Sequence, residues 1–441
     1  MAADLYWQLL GAVDARRGSV STGHDPYGAL RYRDFRLLLI GSFVSNFGGQ
    51  MLGVALGWEL YDRTGSALVL GGIGLAQVLP VIVLTLPAGY VADHYNRKRV
   101  VVVTQVALAV GSLALALLSY RHGALPLIYG CLALMGTAQA FSGPAGSALL
   151  AQVIPGEAYE NAMTWRSSTG QLSSVLGPAV GGFLIALLHG ALWVYVLDGL
   201  AGLVFATLLL LLRASGQQSG RAAGRAVSVT ALAEGVRFLG RTPVLLAAIT
   251  LDLFAVLLGG ATTLLPIFAR SILHVGPVGL GWLQAASAAG AVCMALALAH
   301  RPPFAHAGRT LLVAVAGFGV VTIVFGLSSW FPLSLLMLFL LGALDNISVV
   351  VRSTLVLLRT PDELRGRVGA VNSLFISASN QLGGFESGLT AQLFGPVAAV
   401  AAGGVGTLLV VALVAWKWPE MRRLGALSQP DEASPDVRAG G

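Results

Sequence analysis

Apolar residues along this 441-residue chain come in long blocks broken by short polar punctuation. "LPLIYGCLALMG" and "VYVLDGLAGLVFATLLLLL" have neither the period-two alternation of a half-buried strand nor a polar helical face. A mostly apolar run of about 18 residues is long enough to cross a bilayer. Marking the runs between charged or Pro/Gly-rich breaks predicts an all-α integral membrane protein with twelve spans. They cover 37–60, 67–91, 99–120, 125–149, 161–188, 191–212, 244–269, 278–299, 309–328, 332–356, 367–392 and 396–416. The longest gap, 213–243, separates six spans from six. It holds the small, polar "RASGQQSGRAAGR" and then "VTALAEGVRFLGRTP", which reads as a short amphipathic helix lying on the membrane surface. The predicted organisation is a tail (1–36), a six-helix bundle (37–212), a central loop (213–243), a second bundle (244–416) and a tail (417–441).

Charge adds an orientation. Arg and Lys total 27, of which 22 fall in the two tails and the loops on their side of the membrane. Arg63, Arg121 and Arg270 fall opposite, and Arg166 and Arg352 lie inside spans. By the positive-inside rule both termini and the central loop are cytoplasmic. The net charge of +7 is therefore a topology signal and not a nucleic-acid footprint. Only Lys98 and Lys417 are lysines, an arginine bias that points to a GC-rich bacterial genome and hence to a bacterial cytoplasmic (inner) membrane. Residues 1–36 show no cleavable signal, and Cys131 and Cys293 sit in apolar runs as packing residues.

The halves repeat. Displaced by 206 positions, "GTAQAFSGPAGSALLAQVIPGEA" (136–158) lies over "GALDNISVVVRSTLVLLRTPDEL" (342–364), and the register continues ungapped to Gly182 over Gly388. Gly136 meets Gly342, Pro155 meets Pro361 and Glu157 meets Glu363. Two like-oriented bundles imply a pseudo-two-fold axis along the membrane normal, with a substrate site between them near the midplane.

Chemistry concentrates in a few places. "PAGYVADHYNRKRVVVV" (87–103) joins the second and third spans. Gly89, Asp93, Arg97 and Lys98 fit Gly-x-x-x-Asp-x-x-x-Arg-[Arg/Lys]. Gly89 permits close helix approach, and Asp93 can meet Arg97 or the positive end of a neighbouring helix. A charge cluster that forms in one conformation and breaks in another biases the equilibrium between them. The stretch resembles the signature loop of the major facilitator superfamily, with His94 and Asn96 departing from the family pattern. The matching loop of the second half, "AHRPPFAHAGR", has His300 where the acid would stand. In "SSVLGPAVGG" (173–182), Gly177, Pro178, Gly181 and Gly182 combine a proline kink with close-packing glycines. They resemble that family's antiporter signature. "RDFRLLLIGSFVSNFGGQM", "YDRTGSALVLG" and "TPDELRGRVGAVNSLFISASNQLGGFESG" are similar to the branch that holds enterobactin exporters and macrolide efflux pumps. The resemblance spans residues 30–420 and implies twelve helices in two six-helix bundles, alternating access and export.

Ionisable groups at membrane depth are costly and face a cavity or a partner. Asp252 falls midway along the seventh span and Asp345, beside Asn346, midway along the tenth. Arg352, two turns from Asp345 on the same face, would share one cavity wall with it. A carboxylate removed from water holds its proton more tightly, which is what proton coupling needs. Asp252 and Asp345 are the candidates, with a static buried pair as the alternative. Asp198 and Glu386 sit toward the outer ends of the sixth and eleventh spans, and Arg166 near the cytoplasmic end of the fifth. Glu386 lies in "FESG", a run that resembles the family's. Asn46 and Gln50, four apart, are candidates for hydrogen bonding to substrate. No His/Cys spacing suits a metal, no phosphate loop follows a strand, and no cofactor is expected.

These observations predict a monomeric, non-enzymatic secondary transporter whose partners are the lipid bilayer, protons and a small amphipathic organic molecule. A lysophospholipid flippase or facilitator on the same fold, and a non-transporting sensor or scaffold, are the alternatives.

Overall fold

The computed structural model describes residues 25–214, 229–302 and 304–425, and every regular element among them is helical. Residues 1–24, 215–228 and 426–441, parts of the predicted tails and central loop, lie outside the described residues.

Six long helices form the first half: α1 (Arg33–Thr64), α2 (Ala67–His94), α3 (Arg97–Tyr120), α4 (Leu125–Val153), α5 (Tyr159–Leu187) and α6 (Leu192–Leu210). A short helix, α7 (Val229–Arg241), precedes the second half of α8 (Pro243–Leu258), α9 (Gly276–Ala299), α10 (Ala307–Leu327), α11 (Phe331–Arg359), α12 (Arg365–Phe394) and α13 (Pro396–Lys417). α14 (Pro419–Arg423) follows. Local chemistry sets the ends. Gly65 takes the left-handed conformation after α1 (φ 60°), and the Ser66 hydroxyl accepts from Val69 N–H to start α2. The Asn96 side chain accepts from Arg99 N–H at 3.0 Å and starts α3.

Eleven helices among the described residues are long and apolar enough to span a membrane. α12 is the twelfth, and its polar content has a cause given below. One expectation needs refining: the seventh span runs over Pro243–Ile272, but its helix is broken within it. α8 stops at Leu258, and Gly259–Gly260 leads into a 3-10 turn (Ala261–Leu264), a short α turn and a π turn (Phe268–Ile272). Gly260 lies hard against Gly383 and Ser387 of α12, where any side chain would collide. Pro266 then supplies no amide to re-form the α ladder.

The halves obey the repeat. α2 packs against α12 and α5 against α9, and these are equivalent seams, since α5 corresponds to α12 and α2 to α9. The matched glycines do matched work. Gly136 of α4 abuts the Gln77 carbonyl of α2, and Gly342 of α11 abuts the Ser287 carbonyl of α9. α7 packs on α12 through a Glu234–Arg367 ion pair.

Candidate functional site

The two ends of the molecule differ. At the face opposite the described termini the halves are in contact. Asp62 pairs with Arg270, whose guanidinium lies 5.9 Å from the Trp58 ring centre. Tyr61 Oη and Ser271 Oγ are 2.9 Å apart, and Gln392 Oε1 accepts from Ser66 Oγ at 3.0 Å and Ala67 N–H at 3.1 Å. Beneath these polar contacts lie two glycine seams. A Cβ at Gly388 would stand 2.7 Å from the Ala67 carbonyl oxygen and 2.9 Å from Gly71 Cα. Gly182 abuts the Pro277 carbonyl, and a Cβ on Gly281 would reach 2.5 Å from the Pro178 carbonyl oxygen. Gly177 and Gly181 turn the other way, onto Gln50 and Met51 of α1. The four residues of the sequence motif thus clamp α5 between α1 and α9.

Below this closure is a cavity of about 750 Å³. It runs from the middle of α1 toward the terminal face, where Phe35, Leu150 and Arg166 line it. Seven side-chain amides border it: Asn46, Gln50, Gln77, Gln105, Gln139, Asn380 and Gln381. Amides donate and accept without a net charge, so the wall suits a polar but largely neutral surface. Asp198 and Arg166 are the ionisable residues among its lining. Asp198 accepts from Ser112 Oγ at 2.5 Å and lies against Gly48, midway along α1, so its carboxylate is held at the inner end of the cavity. Ser45 Oγ donates to Gln105 Oε1 at 3.2 Å, fixing one amide of the ring. Most of the lining belongs to the first half. The second half contributes Ser377, Asn380 and Gln381 of α12, which is why that helix is too polar to read as an ordinary span.

Of the sequence candidates, Asn46 and Gln50 line the cavity. Asp252 and Arg352 form an ion pair between α8 and α11, their side chains almost fully buried. Arg352 therefore turns to Asp252 and not, as its spacing implied, to a wall shared with Asp345. Asp345 instead borders a small separate void with Asp252 and Ser348. Asn346 Oδ1 is buried without a partner. Glu386 accepts from Thr390 Oγ1 at 2.8 Å on its own helix, next to the α12–α2 seam.

The loop motif makes few contacts of its own. Asp93 and Arg97 form no ion pair with each other among the described residues, and the space beside Gly89 is open. Lys98 donates to the carbonyls of Leu210 and Leu212 at 3.0 and 2.7 Å, so it caps the end of α6. Sequence reasoning missed Asp62, Arg270 and Gln392, which gain meaning only when the halves meet. It placed Asp198 without a role, although an acid inside "VYVLDGLAGLVF" is itself a signal.

Residues 24–437 match the profile of the family described as transmembrane secretion effectors. The chain belongs to that family, within the major facilitator superfamily. It is a multi-pass membrane protein of a transporter fold. It is 27% identical over 403 residues to the multidrug efflux pump Tap of Mycolicibacterium fortuitum, covering 89% of this chain and 98% of that one. It is 28% identical over 397 residues to the enterobactin exporter EntS of Shigella boydii, covering 88% and 92%. A solved bacterial homologue of the human lysosomal transporter Spinster, inward-facing and occupied, shares the fold with a TM-score of 0.69 at 15% identity, over 89% of this chain and 97% of that one.

Proposed function

We propose that this transporter exports a small amphipathic organic molecule, of the siderophore or drug class, by alternating access driven by protons. The amide-lined cavity of about 750 Å³, closed at one face, carries the reading. Such a volume is the size of sites that enclose drug-like ligands. Apolar Phe35, Leu39 and Phe205 offer hydrophobic contact at its mouth, and Asn46 and Gln50 with their neighbouring amides orient a polar group deeper in. Both relatives named above are efflux proteins, which favours export over import. With the termini cytoplasmic, as the arginine distribution argues, the cavity opens to the cytoplasm of an inner-membrane protein and the structure is the loading state.

In the cycle, a monomer rocks its two halves about the α2–α12 and α5–α9 seams. Opening the far face parts the Asp62–Arg270 and Tyr61–Ser271 contacts. Closing the terminal face brings Asp93 and Arg97 into a latch across the other end. The energy comes from protons exchanged at membrane-embedded acids, for which Asp252 and Asp345 are the proposed carriers. The test is efflux in a pump-deficient bacterial host across a panel of siderophores, macrolides and dyes, with and without an uncoupler. Wild-type efflux that collapses with the uncoupler supports the reading. Accumulation indifferent to expression of the chain, for every compound in the panel, sinks it.

A further inference from the structure

The main cavity is neutral along most of its wall and charged at two points of very different depth. Asn46, Gln50, Gln77, Gln105 and Gln139 carry no net charge, and Asp198 and Arg166 are the ionisable residues of the lining. α5 rises from the terminal face and carries Arg166 about two turns in, whereas α6 descends from the far face and carries Asp198 about two turns down. At 1.5 Å per residue the two stand about 20 Å apart along the membrane normal. Arg166 is exposed at the mouth and too distant to neutralise Asp198, since water and salt screen charges over about 8–10 Å.

Asp198 is not needed to hold its helix. α6 already packs on α3 through Gly199 and Gly202, where a Cβ would stand 2.7 Å from Leu113 Cγ and 3.1 Å from Ala109 Cβ. A neutral amide at position 198 would accept the Ser112 hydroxyl equally well. That hydroxyl compensates the carboxylate only weakly. It has one proton, and it lies 3.1 Å from the Leu108 carbonyl as well as 2.5 Å from Asp198 Oδ2. Among the described residues Oδ1 has no hydrogen-bond partner and Asp198 forms no ion pair. Oδ1 fills the space that Gly48 leaves free, because a Cβ there would come within 2.6 Å of it. A carboxylate at this depth is costly unless a cation meets it, and the cavity is the path by which one arrives.

We infer that Asp198 is a recognition site for a basic amine, so that within the siderophore or drug class the cavity selects amphipaths bearing one protonated amine and takes them amine first. The ammonium N–H groups meet Oδ1 at the inner end, where a charge-assisted bond is strongest for want of water. The seven amides engage polar groups along the way, and the apolar body lies against Phe35, Leu39 and Phe205. A polyanion would meet the same carboxylate with the wrong sign and is disfavoured. Selection of cargo in this way rests on the export reading above; the amine site itself does not.

Three dansyl probes on one diaminobutane scaffold test it: the free amine, its neutral N-acetyl derivative and its anionic N-succinyl derivative. Saturable binding is read by tryptophan-to-dansyl energy transfer, with the full-length protein in phosphatidylcholine nanodiscs, whose lipid has no net charge. The amine is expected to bind at least about tenfold more tightly than the acetyl form, and the succinyl form more weakly still. Asp198→Asn should bring the amine and acetyl affinities within about twofold of each other while leaving the acetyl affinity as it was, which damage to the fold would not do. Arg166→Gln, at the mouth, should keep the preference. Equal amine and acetyl affinities in the wild type, no saturable binding of the amine, a preference that survives Asp198→Asn, or one lost equally with Arg166→Gln overturns the site. If the preference behaves as described but proteoliposomes move none of the probes, the export reading falls and the site stands. If the compound panel is exported but amine and acetyl probes bind alike, the site falls and the export reading stands.

Discussion

Arg352 shows how differently two acids on neighbouring helices are placed. Its guanidinium meets Asp252 in a nearly water-free site, while its Nε finds no acceptor. Breaking a buried pair strands the surviving charge, which costs about 3–5 kcal/mol, whereas replacing both partners with apolar residues of similar volume is close to neutral. Arg352→Ala should therefore lower the thermal midpoint of the purified protein sharply, and Asp252→Leu with Arg352→Met should recover most of it. A single variant as stable as wild type would show that the pair does not hold α8 to α11. Asp345 is different in kind: it has no ion-pair partner among the described residues, so Asp345→Asn strands no charge and the midpoint should hold or rise. At the cavity, Gln50→Ala removes one hydrogen-bonding group worth about 0.5–1.5 kcal/mol. It should raise the substrate concentration for half-maximal efflux by roughly three- to tenfold with little change in the maximal rate. Asn46 and Gln50 were readable from sequence because two amides four apart in an apolar run either bond a neighbouring helix or face a polar cavity. The partner of Arg352 was not, because spacing along α11 ranks Asp345 first and only the packing of α8 reveals Asp252.

At the level of helices, glycine does what polar contacts cannot. The ion pair of Asp62 and Arg270 is about half exposed, and such pairs contribute about 0–1 kcal/mol. The seams at Gly182–Gly281 and Gly71–Gly388 bring backbone against backbone over two helix pairs. A side chain forced into tight packing costs about 1–3 kcal/mol. Gly182→Leu should thus disfavour closure of the far face by roughly tenfold or more, and Asp62→Ala by less than about fivefold. Double electron–electron resonance distances between spin labels across that face would rank the two variants, and a larger opening with Asp62→Ala would reverse this account. The helices were legible because apolar blocks of spanning length have one stable solution in lipid. The break after α8 was less so. Gly259–Gly260 reads as two more small residues until Ser387 and Gly383 are seen pressing on them.

Across the whole molecule, the duplicated halves have diverged into unequal parts. The repeat was visible in an ungapped run of glycines and prolines, and it foretold the paired seams. The inequality was hidden, because which half supplies the cavity wall depends on helix rotation about the seams. Alternating access requires that the closure at one face and the latch at the other oppose each other, so variants at the two ends must push the same equilibrium in opposite directions. Gly49 offers a reporter: it lines the cavity and a side chain there meets nothing within 4 Å. In a background with Cys131 and Cys293 replaced, Gly49→Cys should react with a membrane-impermeant maleimide applied to inverted vesicles, since the cavity opens to the terminal face and the proposed topology makes that face cytoplasmic. Asp93→Ala, by weakening closure of that face, should raise the labelling rate, and Gly182→Leu should lower it. Combining the two should return the rate toward that of the reporter alone, because both act on one conformational equilibrium. Rates that move in the same direction, or a combined variant no different from Gly182→Leu, would mean that the loop at Asp93 takes no part in the movement of the halves.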